Sequence, residues 1–280
     1  MSNFTKVSNT NKYVLSNLDV KLDGIESFLA VDSKGNIVDA IPISENRNNV
    51  YRGKNLTGIY TIEQLYTKVI NGDFTDLYIG DYIIVGKFKL AIAGFNIYCK
   101  TGPTDIGNHI VFIVESGIEN SYMNPTNTSA GGYFGSYMYK TYLPKIYNEL
   151  NPLVGRHIIT HKELLSNSID TNVNSGGYAG WKGASNGWDW YNVNLMLCSE
   201  IEVYGSTVFS SSGYDIGIAK TQLPYFRLNE KNINIRSNWW LSTVHYAIGF
   251  CYCGWGGYAN CHLASSVLSV RPRFLFGKQS

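Results

Sequence analysis

Charge is scarce in this chain. Only 16% of its residues are Asp, Glu, Lys or Arg, and the formal net charge is +2. The basic residues are scattered and form no run, so the clustered basic face that nucleic-acid binding needs is missing. Long apolar runs are missing too. The most hydrophobic stretch, YIIVGKFKLAIAGFNIY, is cut by Lys87 and Lys89, which argues against a membrane span. The N-terminus, MSNFTKVSNTNKYVLSN, has no basic segment followed by an apolar one. No secretion signal is therefore expected, and the protein is read as soluble and made in a cytoplasm. Cysteines number five. An odd, small set of reducing origin argues against a disulfide scaffold. P-loop, GxGxxG and HExxH patterns are missing, and nothing in the motifs argues for an enzyme.

What is present is aromatic and glycine-rich. The chain carries 21 tyrosines and 28 glycines, and aromatics reach 14%. Aromatics suit pleated, half-buried surfaces and Gly serves turns, so a β-rich, loop-rich α+β fold is expected. Tyrosine also supplies contact area at small entropic cost. The 280 residues suffice for one large domain plus a small appendage.

Residues 1–55 read as separate, with strands at Val20–Leu22, Phe28–Val31 and Ile37–Ile43 and a turn at SKGN, 33–36. A segment this small buries little by itself and is expected to lean on a partner or on the rest of the chain. The domain at 56–280 opens with a helix. Thr61 and Gln64 fit a capping box, Ile62, Leu65, Tyr66 and Val69 repeat at helical spacing, and Gly72 closes the turn. Residues 82–98 read as two strands, and HIVFIVE (109–115) as a strand buried on both faces. Residues 136–150 read as a helix interrupted by Pro144. Thr160 and Glu163 suggest a second capping box opening the helix KELLSN. Residues 170–190 read as loop, and 193–203 as either helix or strand. LPYFRL, NWWLST, GFCYC and SVRPRFLF read as short strands.

Three groups invite chemistry. HIITHKE (157–163) sets His157 and His161 four apart, a zinc-like spacing. An N-cap at Thr160 would leave His157 outside the helix, so the two need not share a face. CYCGWGGYANCH (251–262) holds Cys251, Cys253, Cys261 and His262. Paired zinc ligands favour CxxC, whereas CxC on a strand sets the sulfurs about 6–7 Å apart, too far for one ion or for a mutual disulfide. These cysteines are read as small apolar core residues, and no metal or other cofactor is expected. The third group is aromatic. Trp181, Trp188, Trp190, Trp255 and Tyr258 lie in Gly/Asn/Ser-rich segments, where tryptophan either anchors a loop or makes contacts.

NWWLST (238–243), FCYCGWGG (250–257) and SVRPRFLFG (269–277) resemble the C-terminal signature of C-type-lectin-like modules of phage and bacterial origin. DFTDLYIGDYIIV (73–85), NHIVFIVE (108–115), MNPTNTSAGGYFGSYMYKTYL (123–143), GRHIITHKELL (155–165) and QLPYFRL (222–228) are similar to a domain of unknown function in phage and prophage structural genes. Together they cover about residues 56–277. The resemblance implies mixed and antiparallel sheets with two or three short helices, paired terminal strands, and long loops on one side for display. Ser242 and Ser269 depart from it, standing where the signature has Arg and Gly. The calcium-and-sugar motifs of animal lectins are missing, so calcium-dependent sugar binding is not implied.

The expectation is a non-enzymatic virion surface protein, assembled in the bacterial cytoplasm, that serves host attachment as a tail-fibre, tip or head-displayed adhesin. The alternative is a purely structural decoration protein of the capsid. The candidate display surface is Trp181, Trp188, Trp190, His245, Tyr252, Trp255 and Tyr258. Expected partners are other virion proteins through residues 1–55, a host cell-surface glycan or protein, and further copies of this chain in a homo-oligomer.

Overall fold

A computed structural model describes the backbone of residues 4–7, 12–15, 27–31 and 37–42, and all of 47–98, 106–170, 183–210 and 220–279. In the N-terminal part, β1 (Phe4–Val7) pairs antiparallel with β2 (Lys12–Leu15), and β3 (Ser27–Val31) with β4 (Ile37–Pro42). The strand expected at Val20–Leu22 and the turn SKGN lie outside the described residues.

The class is α+β with antiparallel sheets and few helices. Its centre is a five-stranded sheet. The strands are β5 (Tyr82–Val85), β6 (Phe88–Phe95), β7 (His109–Ser116), β10 (Met196–Leu197) and β14 (Pro272–Gly277), in the order β10-β14-β7-β6-β5. Leu90, Ala91, Ile92 and Ala93 of β6 and Ile110, Val111, Ile113 and Val114 of β7 are fully buried. Such unbroken apolar runs fit strands covered on both faces. Two smaller sheets flank this one. β8 (His161–Ile169) pairs with β9 (Ser185–Val193), and β11 (Trp239–Tyr246), β12 (Gly249–Cys253) and β13 (Ala259–Leu263) form a three-stranded meander.

Helix α1 (Ile62–Ile70) forms as its sequence predicts. Thr61 Oγ1 accepts the Gln64 N–H at 3.1 Å, and Gln64 Oε1 accepts the Thr61 N–H at 2.9 Å. Asn71 is the C-cap, and Gly72 follows with φ +69°. The helix lies on β7 and β14, burying Leu65 and Val69, each worth about 1.5–3 kcal/mol. Residues 47–55, read from sequence as part of the appendage, are bonded into the main body. Arg47 donates to the Leu77 carbonyl at 2.8 Å, and Arg52 Nη2 lies 2.6 Å from Asp81 Oδ2. No helix among the described residues is long and apolar enough to cross a membrane.

Several local expectations are corrected. KELLSN is not a helix but lies within β8. Thr160 Oγ1 bonds Asn194 Oδ1 at 2.6 Å rather than capping, and Glu163 is held by Arg273. LPYFRL is not a strand. It forms helix α4 (Pro224–Leu228), with Pro at the first position, where its lost N–H has no cost. Pro144 does not interrupt a helix. A π-helical turn (Met138–Tyr142) runs into α2 (Leu143–Leu150), and Pro144 occupies that helix's second position. Of the loop expected at 170–190, residues 171–182 lie outside the described residues, and 185–190 are not loop, because Ser185 onward pairs with β8 along its length. The undecided stretch 193–203 holds both types, β10 and helix α3 (Glu200–Tyr204).

Candidate functional site

The aromatic candidates part company in the fold. Trp181 lies outside the described residues. Trp188 and Trp190 are half-buried on β9, two residues apart and so on one face. His245 is half-buried near the end of β11. Its Nδ1 bonds the Phe209 carbonyl, and its ring meets Phe209 and Tyr246 edge-on. Tyr252 is a correction: it is only 6% exposed and packs edge-on against Trp240 and His262. Alternation on β12 sends it to the opposite face from Cys251 and Cys253, and both faces of this strand are covered.

Trp255 and Tyr258 are different. They sit in the turn joining β12 to β13 and are 62% and 44% exposed. The turn beneath them is held firmly. The Gly254 N–H bonds the Tyr258 carbonyl at 2.7 Å, and the Gly257 N–H bonds the Gly254 carbonyl at 2.8 Å. The Trp255 N–H bonds Asn238 Oδ1 at 2.8 Å. Gly257 has φ +86°, where a side chain is strained, and the Tyr258 ring passes 2.4 Å from where a Cβ on Gly254 would stand. The turn's backbone is thus held while the Trp255 ring stands largely in solvent and the Tyr258 ring stands partly so. Behind them Cys251 and Cys253 are fully buried and Cys261 is partly so.

The two histidines of HIITHKE are separated. His157 stacks on Tyr66 at 3.5 Å and bonds Glu63 at 3.1 Å. His161 is buried and bonds Glu163 at 2.7 Å. Among the described residues, no three His, Cys, Asp or Glu side chains are grouped so as to hold a metal.

His161 belongs to a buried ionic cluster that motif reading missed. Arg273 on β14 contacts Glu163 on β8 through both terminal nitrogens, each at 2.7 Å. Its Nε lies 2.6 Å from Glu202 Oε1 on α3, a contact of charges rather than an aligned hydrogen bond. Lys220 stands 3.4 Å from Glu163 and 4.0 Å from Glu202. Tyr98 donates its hydroxyl to Glu202, and Arg273 lies over the Tyr98 ring at 4.8 Å. Glu202 also closes a capping box with Ser199. Burial alone would raise both carboxyls. Arg273, then Lys220, overcome it and hold Glu163 well below the usual carboxylate range and Glu202 below it. Two signals for this cluster stand in the sequence: an Arg inside the apolar run RPRFLF and the pattern Ser-x-x-Glu at 199–202.

Beside the cluster, a cavity of about 20 Å³ is lined by Ser166, Trp188, Ser199, Lys220, Ser242 and Thr243, among others. Space of that size admits one water molecule. The buried Trp188 Nε1–H, which has no partner among the described residues, is the kind of group such a water satisfies. The cluster is therefore built to join β8, β14 and α3, whereas the β12–β13 turn is built to present side chains. The chain matches no protein-family model, no curated protein and no solved structure.

Proposed function

We propose that this protein is a non-enzymatic contact module whose β12–β13 turn, with Trp255 and Tyr258, meets a partner surface. The observation that carries this is the pairing of a rigid turn with exposed rings, 62% and 44% accessible. Large aromatics on a pre-ordered backbone lose little entropy on binding and are the residues that dominate contact energies. The finer reading rests on the resemblance of NWWLST, FCYCGWGG and SVRPRFLFG to C-type-lectin-like display modules. On that reading the protein is a virion surface adhesin, and residues 1–55 dock it to the particle. Many weak copies on one particle would bind a host surface by avidity.

The test is adsorption. Phage particles lacking this protein should adsorb poorly to their host, and the purified chain should bind host cells and lose that binding as Trp255→Ala. Normal adsorption by particles that have become fragile to heat or osmotic shock would overturn the adhesin reading in favour of capsid decoration.

A further inference from the structure

We propose that Cys251 and Cys261 are a site of reversible disulfide formation across the β12–β13 hairpin. Neighbours on one strand cannot bond, since the side chains of Cys251 and Cys253 stand about 6–7 Å apart along it. Across the hairpin the position is different. The register sets Cys251 directly opposite Cys261. Two backbone bonds outside the strands fix the ladder's phase: Gly254 N–H to Tyr258 O at 2.7 Å, and Ala264 N–H to Ile248 O at 2.9 Å. Hydrogen-bonded and non-hydrogen-bonded rungs alternate in an antiparallel pair. Rungs 254/258, 252/260, 250/262 and 248/264 are then the bonded ones, and 251/261 is a non-bonded rung.

That rung type brings the strands closest, with Cα atoms about 4.5 Å apart and both side chains on one face. A disulfide needs Cα atoms roughly 4.4–6.8 Å apart and Cβ atoms about 3.5–4.5 Å apart. The pair therefore closes with little backbone movement. Cys253 faces Ala259 across the same ladder and has no thiol opposite. Cys198 is fully buried beyond β10, where its carbonyl accepts the Ser242 N–H.

The order of events follows from access. Cys261 is partly exposed, and Cys251 is fully buried. With a low-molecular-weight disulfide as oxidant, the Cys261 thiolate attacks one of its sulfurs. One small thiolate leaves, and a mixed disulfide remains on Cys261. The Cys251 thiolate then attacks the Cys261 sulfur and expels the second small thiolate. Two cysteine thiols are oxidised, one small disulfide is reduced to two thiols, and the two cysteine protons end on the leaving thiolates. Burial pushes the Cys261 thiol up, so the first step quickens as pH rises. In a reducing cytoplasm the pair stays open, and in an oxidising milieu it closes behind the turn that carries Trp255 and Tyr258. This assignment rests on the strand register and stands whatever the turn contacts.

The test uses the full chain incubated with oxidised glutathione, quenched by alkylation, denatured, and digested with chymotrypsin without reductant. Cleavage after Tyr252, Trp255 and Tyr258 separates Cys251, Cys253 and Cys261 onto three peptides. The expected product is the Cys251 peptide joined to the Cys261 peptide, with an intact mass lower by two hydrogens, both reversed by dithiothreitol. Cys261→Ser should abolish the link, and Cys253→Ser should keep it. A link between Cys253 and Cys261, a glutathione adduct that persists on Cys261, or full alkylation of all three cysteines would each overturn the proposal. The wild-type peptide map decides this even if a variant fails to fold.

Discussion

Arg273 and Glu163 face each other as a two-pronged pair, Nη1 to Oε1 and Nη2 to Oε2, each at 2.7 Å. Their strands belong to different sheets, and the Arg273 side chain is fully buried. Breaking one side of such a pair strands the other charge away from water. Glu163→Gln is therefore expected to cost about 3–5 kcal/mol of unfolding free energy. The double change Glu163→Leu with Arg273→Met should cost less than the two singles summed, because it leaves neither charge facing the other's vacancy. Urea unfolding of the wild type, Glu163→Gln, Glu163→Leu, Arg273→Met and the double variant measures this. A Glu163→Gln cost under about 1 kcal/mol would show that the pair does not clamp the sheets.

His109 sets the acid side of stability. Its Nδ1–H donates to the Gly107 carbonyl at 2.8 Å, and its Nε2 accepts the Tyr98 N–H at 3.2 Å. A second ring proton would displace that acceptor role. Burial pushes the ring's pKa down from 6.5 to about 4. Between those values the unfolded chain binds a proton that the folded chain refuses. Stability is then full above pH 6.5 and falls as pH drops toward 4, by about 3 kcal/mol in total. Glu163 and Glu202, held below the usual carboxylate range, contribute stability that is lost only as pH falls through their lower values. His109→Gln should flatten the slope between pH 6.5 and 4, whatever it does at pH 7. Unfolding free energies at pH 7, 6 and 5 test this, and a wild-type profile flat over that range would count against it.

Much of the fold was legible, and the failures share one cause. Helix α1 could be read because its signals are local: a cap, a period and a closing glycine. β7 and the strand NWWLST could be read because an apolar run needs no partner to be recognised. KELLSN could not, because Thr160 and Glu163 carry the same letters as a capping box, and only Arg273, 110 residues away in sequence, turns Glu163 into a strand residue. The Gly-rich segment after Gly183 looked like loop because β9's partner strand lies on its far side. In the candidate site, Trp255 and Tyr258 were visible as turn aromatics. The loss of Tyr252 to the interior depended on Trp240 and His262, which sequence alone does not place beside it.

The cap on α1 offers a clean local probe. Thr61→Ala removes the side-chain acceptor for the Gln64 N–H and should destabilise the protein by about 1 kcal/mol. Thr61 is exposed, so no cavity term enters. Thr61→Ser keeps the oxygen and should restore most of the loss. Equal destabilisation by both variants would mean that the methyl group, not the cap, matters at this position.

The turn at Trp255 and Tyr258 separates binding from stability. The Trp255 ring stands largely in solvent and the Tyr258 ring less so, so truncating Trp255 removes little packing. Trp255→Ala is expected within about 0.5 kcal/mol of wild type in unfolding free energy. Tyr258→Ala should cost somewhat more, because its ring covers Gly254. Gly257→Val should cost more again, since a β-branched residue is forced to φ +86°. If the turn is a contact surface, the stability order inverts in binding. Trp255→Ala, the least harmful to the fold, should lower attachment to the partner surface most, by tenfold or more for a hot-spot aromatic. Parallel urea titrations and cell- or particle-binding measurements on these three variants supply the comparison. Binding losses that merely track the stability losses would identify the turn as a folding element rather than a recognition one.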